Sequence, residues 1–333
     1  MPLPRNNLYP DFNISRLSHI ELGVKDLEAS FAFYVETLGL QVTEKEGDYI
    51  YLRGMEERGH HSVILKKSEE PTCNVLGYKV FDEEQLNSFF KDKDVCINLV
   101  GILYENKQNT FKNIHVNFPT ILSKKCEEYK LKQFIHISAL GIEKAIDSKY
   151  ASSKLEGEKN IINNFSKSTI LKPSVIFSVD DDFSCRLLTL LSLLPIFPLY
   201  YNGKTKFSPM HVSEICEVIT MVIDKNICSD IIECVGPEEL SFKEILQKLL
   251  ISINKKRLLI PLPTQIAKLS AFFFEKFPKP LITRDQLRIL KYDNILSGQY
   301  KSNIDIGFEA KLKFENEILK YSYMWKEGGQ YSK

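Results

Sequence analysis

The chain has 333 residues, of which 44% are hydrophobic, so it is long enough for two domains and apolar enough to build packed cores. These values exclude wholesale disorder. The formal net charge of +1 is unevenly distributed, because residues 1–88 carry 9 basic against 15 acidic side chains while the remainder carries 35 against 28. This asymmetry indicates two segments of different origin, the second moderately basic.

Seven cysteines, an odd number with no CxxC pair, favour a reducing, cytosol-like compartment over a secreted disulfide scaffold. The N-terminal residues lack the continuous apolar run of a signal peptide. The most apolar stretch, LLTLLSLLPIFPLYY (187–201), is too short and too interrupted by proline to span a bilayer. We interpret it as a buried or interfacial helix followed by a loop. A cytoplasmic protein is expected, with peripheral membrane association as an alternative.

The first segment is predicted to form a β-α-β-β-β unit. SHIELGV (18–24) alternates apolar and polar residues as a strand does, and DLEASFAFYVETLGL (26–40) has helical spacing that ends at Gly39. Two strand-like stretches follow, QVTEKEGDYIYLRG and HSVILKKS. A second unit begins with VLGYKVF and DEEQLNSFF, but the sequence changes character near residue 88, before that unit is complete.

HIELGVKDLEASFAFYVETLGLQVTE and YIYLRGMEERGHHSVIL resemble the N-terminal module of vicinal-oxygen-chelate proteins, especially extradiol dioxygenases of the homoprotocatechuate type. The resemblance implies that His19 occupies a first-strand position where many such modules place a metal ligand. In those dioxygenases the iron ligands come from a C-terminal domain that is absent here, and the incomplete module gives Glu21, His60 and His61 no common cavity. We therefore expect no metal, and we expect a test for ring-cleaving dioxygenase activity to fail.

The second segment has a different order of predicted strands and helices. Apolar strands in KDVCINLVGILYE (93–105), QFIHISALG (133–141) and STILKPSVIF (168–177) alternate with helix-like stretches, which is typical of a parallel sheet. His136 lies between two isoleucines on one of these strands, so we interpret it as a core histidine rather than a metal ligand.

Tyr150 and Lys154 in DSKYASSKLEGEK lie on one face of a predicted helix, and Ser138 precedes Tyr150 by twelve residues. A lysine ammonium nearby favours the phenolate, so we expect Lys154 to lower the pKa of Tyr150 and suit it to general acid–base catalysis. Spacing alone leaves the alternative of an ordinary solvated helix open, because tyrosine and lysine four residues apart are common.

Six stretches stand in the order found in extended short-chain dehydrogenases: INLVGILYE, FIHISALG, KPSVIF, GKTKFSPMHV, ECVGPEELSFKEIL and PLITRDQLRIL. Residues 93–325 resemble the atypical members of that family, closest to the nucleotide-binding accessory subunit of respiratory complex I (NADH:ubiquinone oxidoreductase). The resemblance implies that Tyr150 is the acid or base, Lys154 its electrostatic partner and Ser138 a ligand of the substrate oxygen. It implies NAD(P)H contacts by Asn98, Gly101, Tyr150, Lys154, Pro173 and Ser174.

The glycine-rich loop that holds a dinucleotide is missing. No two of the fifteen glycines are two or three positions apart, so neither GxGxxG nor GxxGxxG occurs. A short-chain dehydrogenase carries that loop before the INLVG strand, where this chain has its dioxygenase-like segment. We therefore expect weak NAD(P)H binding, and a chain that is a fusion, either real or an artefact of gene assembly.

The sequence thus predicts an α/β chain in which a truncated Rossmann-like parallel sheet of the short-chain dehydrogenase type (89–333) follows a partial βαβββ vicinal-oxygen-chelate module (1–88). The predicted function is structural: assembly or stabilisation of respiratory complex I, with its subunits as partners at the inner face of the inner membrane. The alternative is an NAD(P)-dependent reductase or epimerase that uses Ser138, Tyr150 and Lys154. Dispersed lysines without interleaved aromatics argue against nucleic acid.

Overall fold

The computed structural model describes residues 14–54, 62–80, 90–105, 109–179, 181–275 and 280–329. The chain divides into two compact units, Met1–Lys91 and Asp92–Lys333, each with its own sheet and hydrophobic core. Within the described ranges, every helix is too short or too polar to cross a bilayer.

The first unit is built on a five-stranded sheet of order β2-β3-β4-β1-β5. Its strands are β1 (Ile14–Val24), β2 (Gln41–Glu46), β3 (Tyr49–Arg53), β4 (Val63–Lys67) and β5 (Thr72–Val80). β1 pairs in parallel with β4 and antiparallel with β5. The predicted β-α-β-β-β order is therefore present. The first strand of the second predicted unit joins the same sheet as its edge strand β5.

One helical segment connects β1 to β2. Asp26 caps it by accepting a hydrogen bond from Ala29 N at 2.9 Å, as N-cap carboxylates do. The segment continues as α1 (Leu27–Phe31) and a π-helical turn (Ala32–Thr37), and Gly39 follows with φ at 73°. Glycine adopts that left-handed conformation without the Cβ penalty, which explains why the helix ends where the sequence predicts. Most of DEEQLNSFF lies outside the described residues.

The second unit contains a parallel five-stranded sheet of order β16-β13-β8-β7-β6. Its strands are β6 (Val95–Asn98), β7 (Gln133–Ile137), β8 (Ser168–Pro173), β13 (Asp230–Cys234) and β16 (Lys301–Ser302). A π-helical turn (Lys112–Asn117) and α2 (Phe118–Glu128) connect β6 to β7, and α3 (Lys149–Asn164) connects β7 to β8. The predicted truncated parallel sheet is confirmed.

The remaining helices are α4 (Ser184–Leu193), α5 (Val212–Asp224), α6 (Phe242–Ser252), α7 (Thr264–Phe274), α8 (Arg284–Ile289) and α9 (Phe314–Leu319). The short strands β9 (Ile176–Phe177) and β12 (Met210–His211) pair in parallel, and β11 (Lys206–Phe207) pairs antiparallel with β14 (Leu240–Ser241). α5 packs on the sheet through a core that includes Ile135, Leu171 and Val218.

The prediction of a helix followed by a loop in residues 187–201 is half right. α4 is present, but the loop is replaced by β10 (Ile196–Leu199), which pairs in parallel with β15 (Leu258–Pro261). Sequence periodicity missed this strand because its partner lies about sixty residues further along the chain.

In the described part of the chain, β6 is an edge strand of the second unit's sheet. Among the described strands, β6 pairs only with β7. Two apolar residues at its end, Ile97 and Leu99, are 42% and 65% exposed. The glycine loop that the sequence lacks was expected before this strand, and β6 is an edge strand of the described sheet.

Candidate functional site

The first turn of α3 positions Tyr150, and a distant carboxylate fixes that turn. Ser148 is the N-cap, and its hydroxyl accepts from Ala151 N. Asp285, from α8, accepts from the Ser148 hydroxyl at 2.8 Å, from Lys149 N at 2.8 Å and from Tyr150 N at 2.9 Å. Because the first N–H groups of a helix have no partner within the helix, Asp285 satisfies groups that would otherwise lack one.

Lys154 lies on the same face of α3 as Tyr150, as its spacing predicts. Its Nζ is 5.6 Å from the centroid of the Tyr150 ring and donates to the Ile137 carbonyl at 3.3 Å. The side chain is buried, which lowers its pKa to about 8; Glu158 opposes this shift and Lys172 adds to it. Lys154 therefore connects α3 to β7.

The predicted fall in the pKa of Tyr150 is wrong. Burial of the phenol raises the pKa of Tyr150 above its ordinary value. The ring packs edge-on against Phe111 and His115, with centroid distances of 5.9 and 5.3 Å. A desolvated phenol held by aromatic neighbours is a poorer base than the sequence predicts, because removal of its proton leaves a charge in an apolar environment.

Ser138 is bonded to a buried ion-pair cluster. Its hydroxyl donates to Glu158, whose other oxygen lies 2.9 Å from the ammonium of Lys172, and Lys172 also pairs with Glu143. Lys172 is fully buried and Glu158 is 4% exposed. The predicted role of Ser138 as a substrate ligand remains a prediction, but in this structure its proton is directed to Glu158.

The loop after β6 approaches α3 through His115. Ile102 N donates to His115 Nε2 at 3.1 Å, so the ring proton is on Nδ1 and faces the Ser153 hydroxyl at 2.9 Å. Burial and the nearby Lys154 lower the pKa of His115 to about 3, which keeps the ring neutral. A Cβ on Gly101 would lie 3.6 Å from Lys154 Nζ, so the loop backbone runs directly beside the lysine.

Asn98 ends β6 and pairs with His136. Its amide nitrogen lies 3.0 Å from His136 Nδ1, and its carbonyl oxygen accepts from Val100 N at 3.1 Å. His136 is buried, and burial lowers its pKa well below the usual range. His136 is therefore the neutral core histidine that its strand position predicts.

Pro173 and Ser174 lie at the end of β8. The Pro173 carbonyl accepts from Leu140 N, and the buried Ser174 hydroxyl donates to the side-chain oxygen of Asn294 at 2.6 Å. Ser208 N also donates to Ser174. These contacts give Ser174 a place in the fold, and its predicted contact with a nicotinamide stays a prediction.

Sequence reasoning did not identify Glu158, Lys172 and His115, which lie around the candidate site residues. Glu158 follows Lys154 by four residues, so the i, i+4 rule that selects Tyr150 and Lys154 also selects Glu158. Lys172 and His115 carry no such local signal, because they reach α3 from β8 and from the turn before α2.

The first unit offers little metal chemistry in its described part. Across all described residues, no three His, Cys, Asp or Glu side chains are grouped as metal ligands. His60 and His61 lie outside the described residues, as does the side chain of His19. The expectation of no metal therefore stays a prediction.

Comparison with known proteins matches each unit to a different class. Residues 16–91 match the Glyoxalase/Bleomycin resistance protein/Dioxygenase superfamily. Over 80 residues the chain is 34% identical to a metapyrocatechase of Pseudomonas, covering 24% of this chain and 26% of that protein. The predicted resemblance of the first segment to ring-cleaving dioxygenases is confirmed, over a quarter of such a protein.

The larger part of the chain is similar to a respiratory protein. Over 238 residues it is 23% identical to the mitochondrial NADH-ubiquinone oxidoreductase 40 kDa subunit of Neurospora crassa, covering 71% of this chain and 62% of that subunit. The UDP-glucuronic acid 4-epimerase of Bacillus cereus, solved with UDP-glucuronic acid and NAD, superposes with a TM-score of 0.53 at 16% identity, covering 71% of this chain and 77% of the epimerase. That likeness shows the fold and confirms the Rossmann-like sheet of the second unit.

Proposed function

We propose that the second unit acts as an accessory subunit of respiratory complex I, which it assembles or stabilises. The observation that carries this proposal is the 238-residue similarity to the 40 kDa subunit of NADH-ubiquinone oxidoreductase. The partners are then subunits of that complex, and the location is the cytoplasmic face of the inner membrane. The chain spans 62% of the Neurospora subunit, so the unmatched part of that subunit is not carried over.

The site supports a structural role over turnover. Burial raises the pKa of Tyr150, and the Ser138 hydroxyl donates to Glu158. A phenol with a raised pKa is a weaker base, and the Ser138 proton is directed to Glu158 rather than to a substrate oxygen. Lys154 and Glu158 instead connect α3 to β7 and β8.

NAD(P)H is proposed to bind weakly at the end of β6. The backbone at Gly101 runs beside Lys154, the proposed ribose contact, whereas the sequence has no glycine loop for the pyrophosphate. Asn98, Tyr150, Pro173 and Ser174 complete the proposed contact set. Fluorescence titration of the purified chain with NADPH is expected to give a dissociation constant weaker than micromolar. Micromolar or tighter binding would contradict this.

The accessory role is tested by complementation. Cells that lack the gene are expected to lose assembled complex on native gels and NADH:ubiquinone activity in membranes, and the tagged wild-type chain is expected to restore both and to migrate with the complex. Tyr150→Phe is the matched variant, because it removes only the hydroxyl. Restoration by Tyr150→Phe supports a structural role. A tagged chain that migrates alone, with no effect of deletion on the complex, contradicts the proposal.

A reductase or epimerase is the second candidate, since Tyr150 and Lys154 do share a helix face. It predicts consumption of NAD(P)H with a carbonyl or sugar-nucleotide substrate. Loss of that consumption in Tyr150→Phe, with complex assembly intact, would favour this candidate.

A further inference from the structure

Helix α7 has small residues on its buried side and large apolar residues on its exposed side, the opposite of an ordinary surface helix. Its inward side consists of small residues, Ala267 and Ala271, which are 4% and 0% exposed. Its large residues point outward: Ile266, Leu269 and Phe273 share one face by their spacing and are 52%, 58% and 54% exposed. We call these three residues the α7 apolar face. A helix packed this way leaves its large apolar side chains about half exposed.

The strand pair that precedes α7 is also apolar and exposed. Ile196 of β10 and Leu258 of β15 are register partners, and they are 50% and 59% exposed. Leu193, at the end of α4, is 72% exposed. Only two residues separate β15 from α7, so the chain passes from one exposed apolar element directly into the next. Exposed apolar side chains therefore recur on α4, β10, β15 and α7, and clusters of such residues mark interaction surfaces.

A basic pocket lies along one flank of helix α7. This cavity of about 480 Å³ is lined by four cationic side chains, Lys268, Arg284, Arg288 and Lys291, against one acidic side chain, Asp147. Lys268 belongs to α7 itself and immediately precedes Leu269. The Arg284 guanidinium lies 5.3 Å from the Phe272 ring, which joins the pocket to the helix.

Two of the four cations are already paired within the unit. Arg284 contacts Glu275 at 2.8 Å and Arg288 contacts Asp285 at 3.2 Å. Lys268 and Lys291 are exposed, and among the described ion pairs neither has a carboxylate partner. The surplus positive charge of the pocket therefore comes mainly from these two lysines.

An apolar helix face beside lysines has the charge and polarity of an interfacial helix, which buries its apolar side at the level of the lipid headgroups while its cations meet anionic phosphates. A small soluble anion would occupy the pocket and leave the apolar face in water. We propose that the α7 apolar face and the basic pocket dock together onto a bilayer that contains anionic phospholipid. This inference does not depend on the proposed function, because it needs no protein partner.

Vesicle co-sedimentation of the full chain tests the proposal. The wild-type chain is expected to sediment with phosphatidylcholine vesicles that contain 30% phosphatidylglycerol, and at least tenfold less with pure phosphatidylcholine, on the order of the effect that two lysines near an anionic surface produce. Leu269→Gln/Phe273→Gln is expected to abolish sedimentation. Lys268→Gln/Lys291→Gln is expected to remove the preference for the anionic vesicles.

Matched control variants keep the outcome interpretable. Ile304→Gln/Leu319→Gln changes two apolar residues of similar exposure, 56% and 53%, and Lys159→Gln/Lys313→Gln changes two exposed lysines outside the pocket. Both controls are expected to sediment like the wild-type chain, and circular dichroism checks that all variants fold.

The proposal is overturned if the wild-type chain does not sediment with anionic vesicles, or if the α7 variant sediments as well as its control. Binding of inorganic phosphate without binding of vesicles would also overturn it, by showing a pocket for a soluble anion. A chain that joins the respiratory complex but ignores vesicles would support the proposed function and contradict this inference. A chain that binds vesicles but does not join the respiratory complex would contradict only the proposed function.

Discussion

Lys172 places a positive charge in the interior of the second unit. Its side chain is fully buried and charged. Burial acts to lower its pKa, but the carboxylates of Glu158 and Glu143 outweigh burial, and the net direction is upward. A buried ion pair of this kind adds little net stability, yet breaking it is costly because the partner charge stays buried.

Lys172→Met is therefore expected to destabilise the second unit by about 3–5 kcal/mol, since it leaves Glu158 buried without its cation. Urea unfolding measures this change. Lys320→Met is the control, because the Lys320 side chain is 67% exposed, and its effect is expected to stay within about 0.5 kcal/mol. A loss below about 1 kcal/mol in Lys172→Met would mean that Glu158 is protonated or reaches water once the lysine is removed.

His115 gives the molecule a defined sensitivity to acid. Its pKa is about 3 when folded, compared with an ordinary value of 6.5, so the unfolded chain binds a proton that the folded chain does not. The stability that His115 contributes is complete above pH 6.5 and is lost as the pH falls towards 3. His115→Asn is expected to lose less stability on acidification than the wild-type chain, by about 1 kcal/mol per pH unit between pH 6 and 4. Parallel stability curves for the two proteins would contradict this.

At the scale of elements, α3 and α8 are joined by one carboxylate. Asp285 of α8 accepts three hydrogen bonds from Ser148, Lys149 and Tyr150 at the start of α3. The position of Tyr150 therefore depends on a helix 135 residues away in sequence.

Asp285→Ala is expected to destabilise the second unit by about 2 kcal/mol, because it leaves donors at the start of α3 without partners. It is also expected to loosen the first turn of α3, which amide hydrogen exchange of Lys149 and Tyr150 detects. Asp147→Ala is the control, since Asp147 is exposed and precedes the same turn. Equal exchange in the two variants would show that the hydrogen bonds of Asp285 do not hold the first turn of α3.

The limits of sequence reasoning follow from the range of the contacts. The alternation of strands and helices predicts the parallel sheet, and i, i+4 spacing predicts Tyr150 and Lys154 on one face, because both patterns are local. The contacts of Lys172, His115 and Asp285 with α3 or its partners were not predictable, since they depend on which strands and helices become neighbours. The direction of the Tyr150 pKa was mispredicted for the same reason: burial is a tertiary property.

At the scale of the whole molecule, two units with separate cores share one chain. Leu52 and Leu65 lie at the centre of the first core, and both are fully buried. Ile135 and Leu171 are equally buried in a core of the second unit. Cores that share no residues can lose their packing separately, so a single free energy of unfolding need not describe the chain.

Urea unfolding of the full chain is accordingly expected to show two transitions. Leu52→Ala creates a cavity in the first unit, which is expected to cost about 2–5 kcal/mol and to move only one transition to lower urea. Leu171→Ala is the matched change in the second unit, and it is expected to move only the other transition. Far-ultraviolet circular dichroism follows both. A single transition that both variants shift would contradict separate unfolding of the two units.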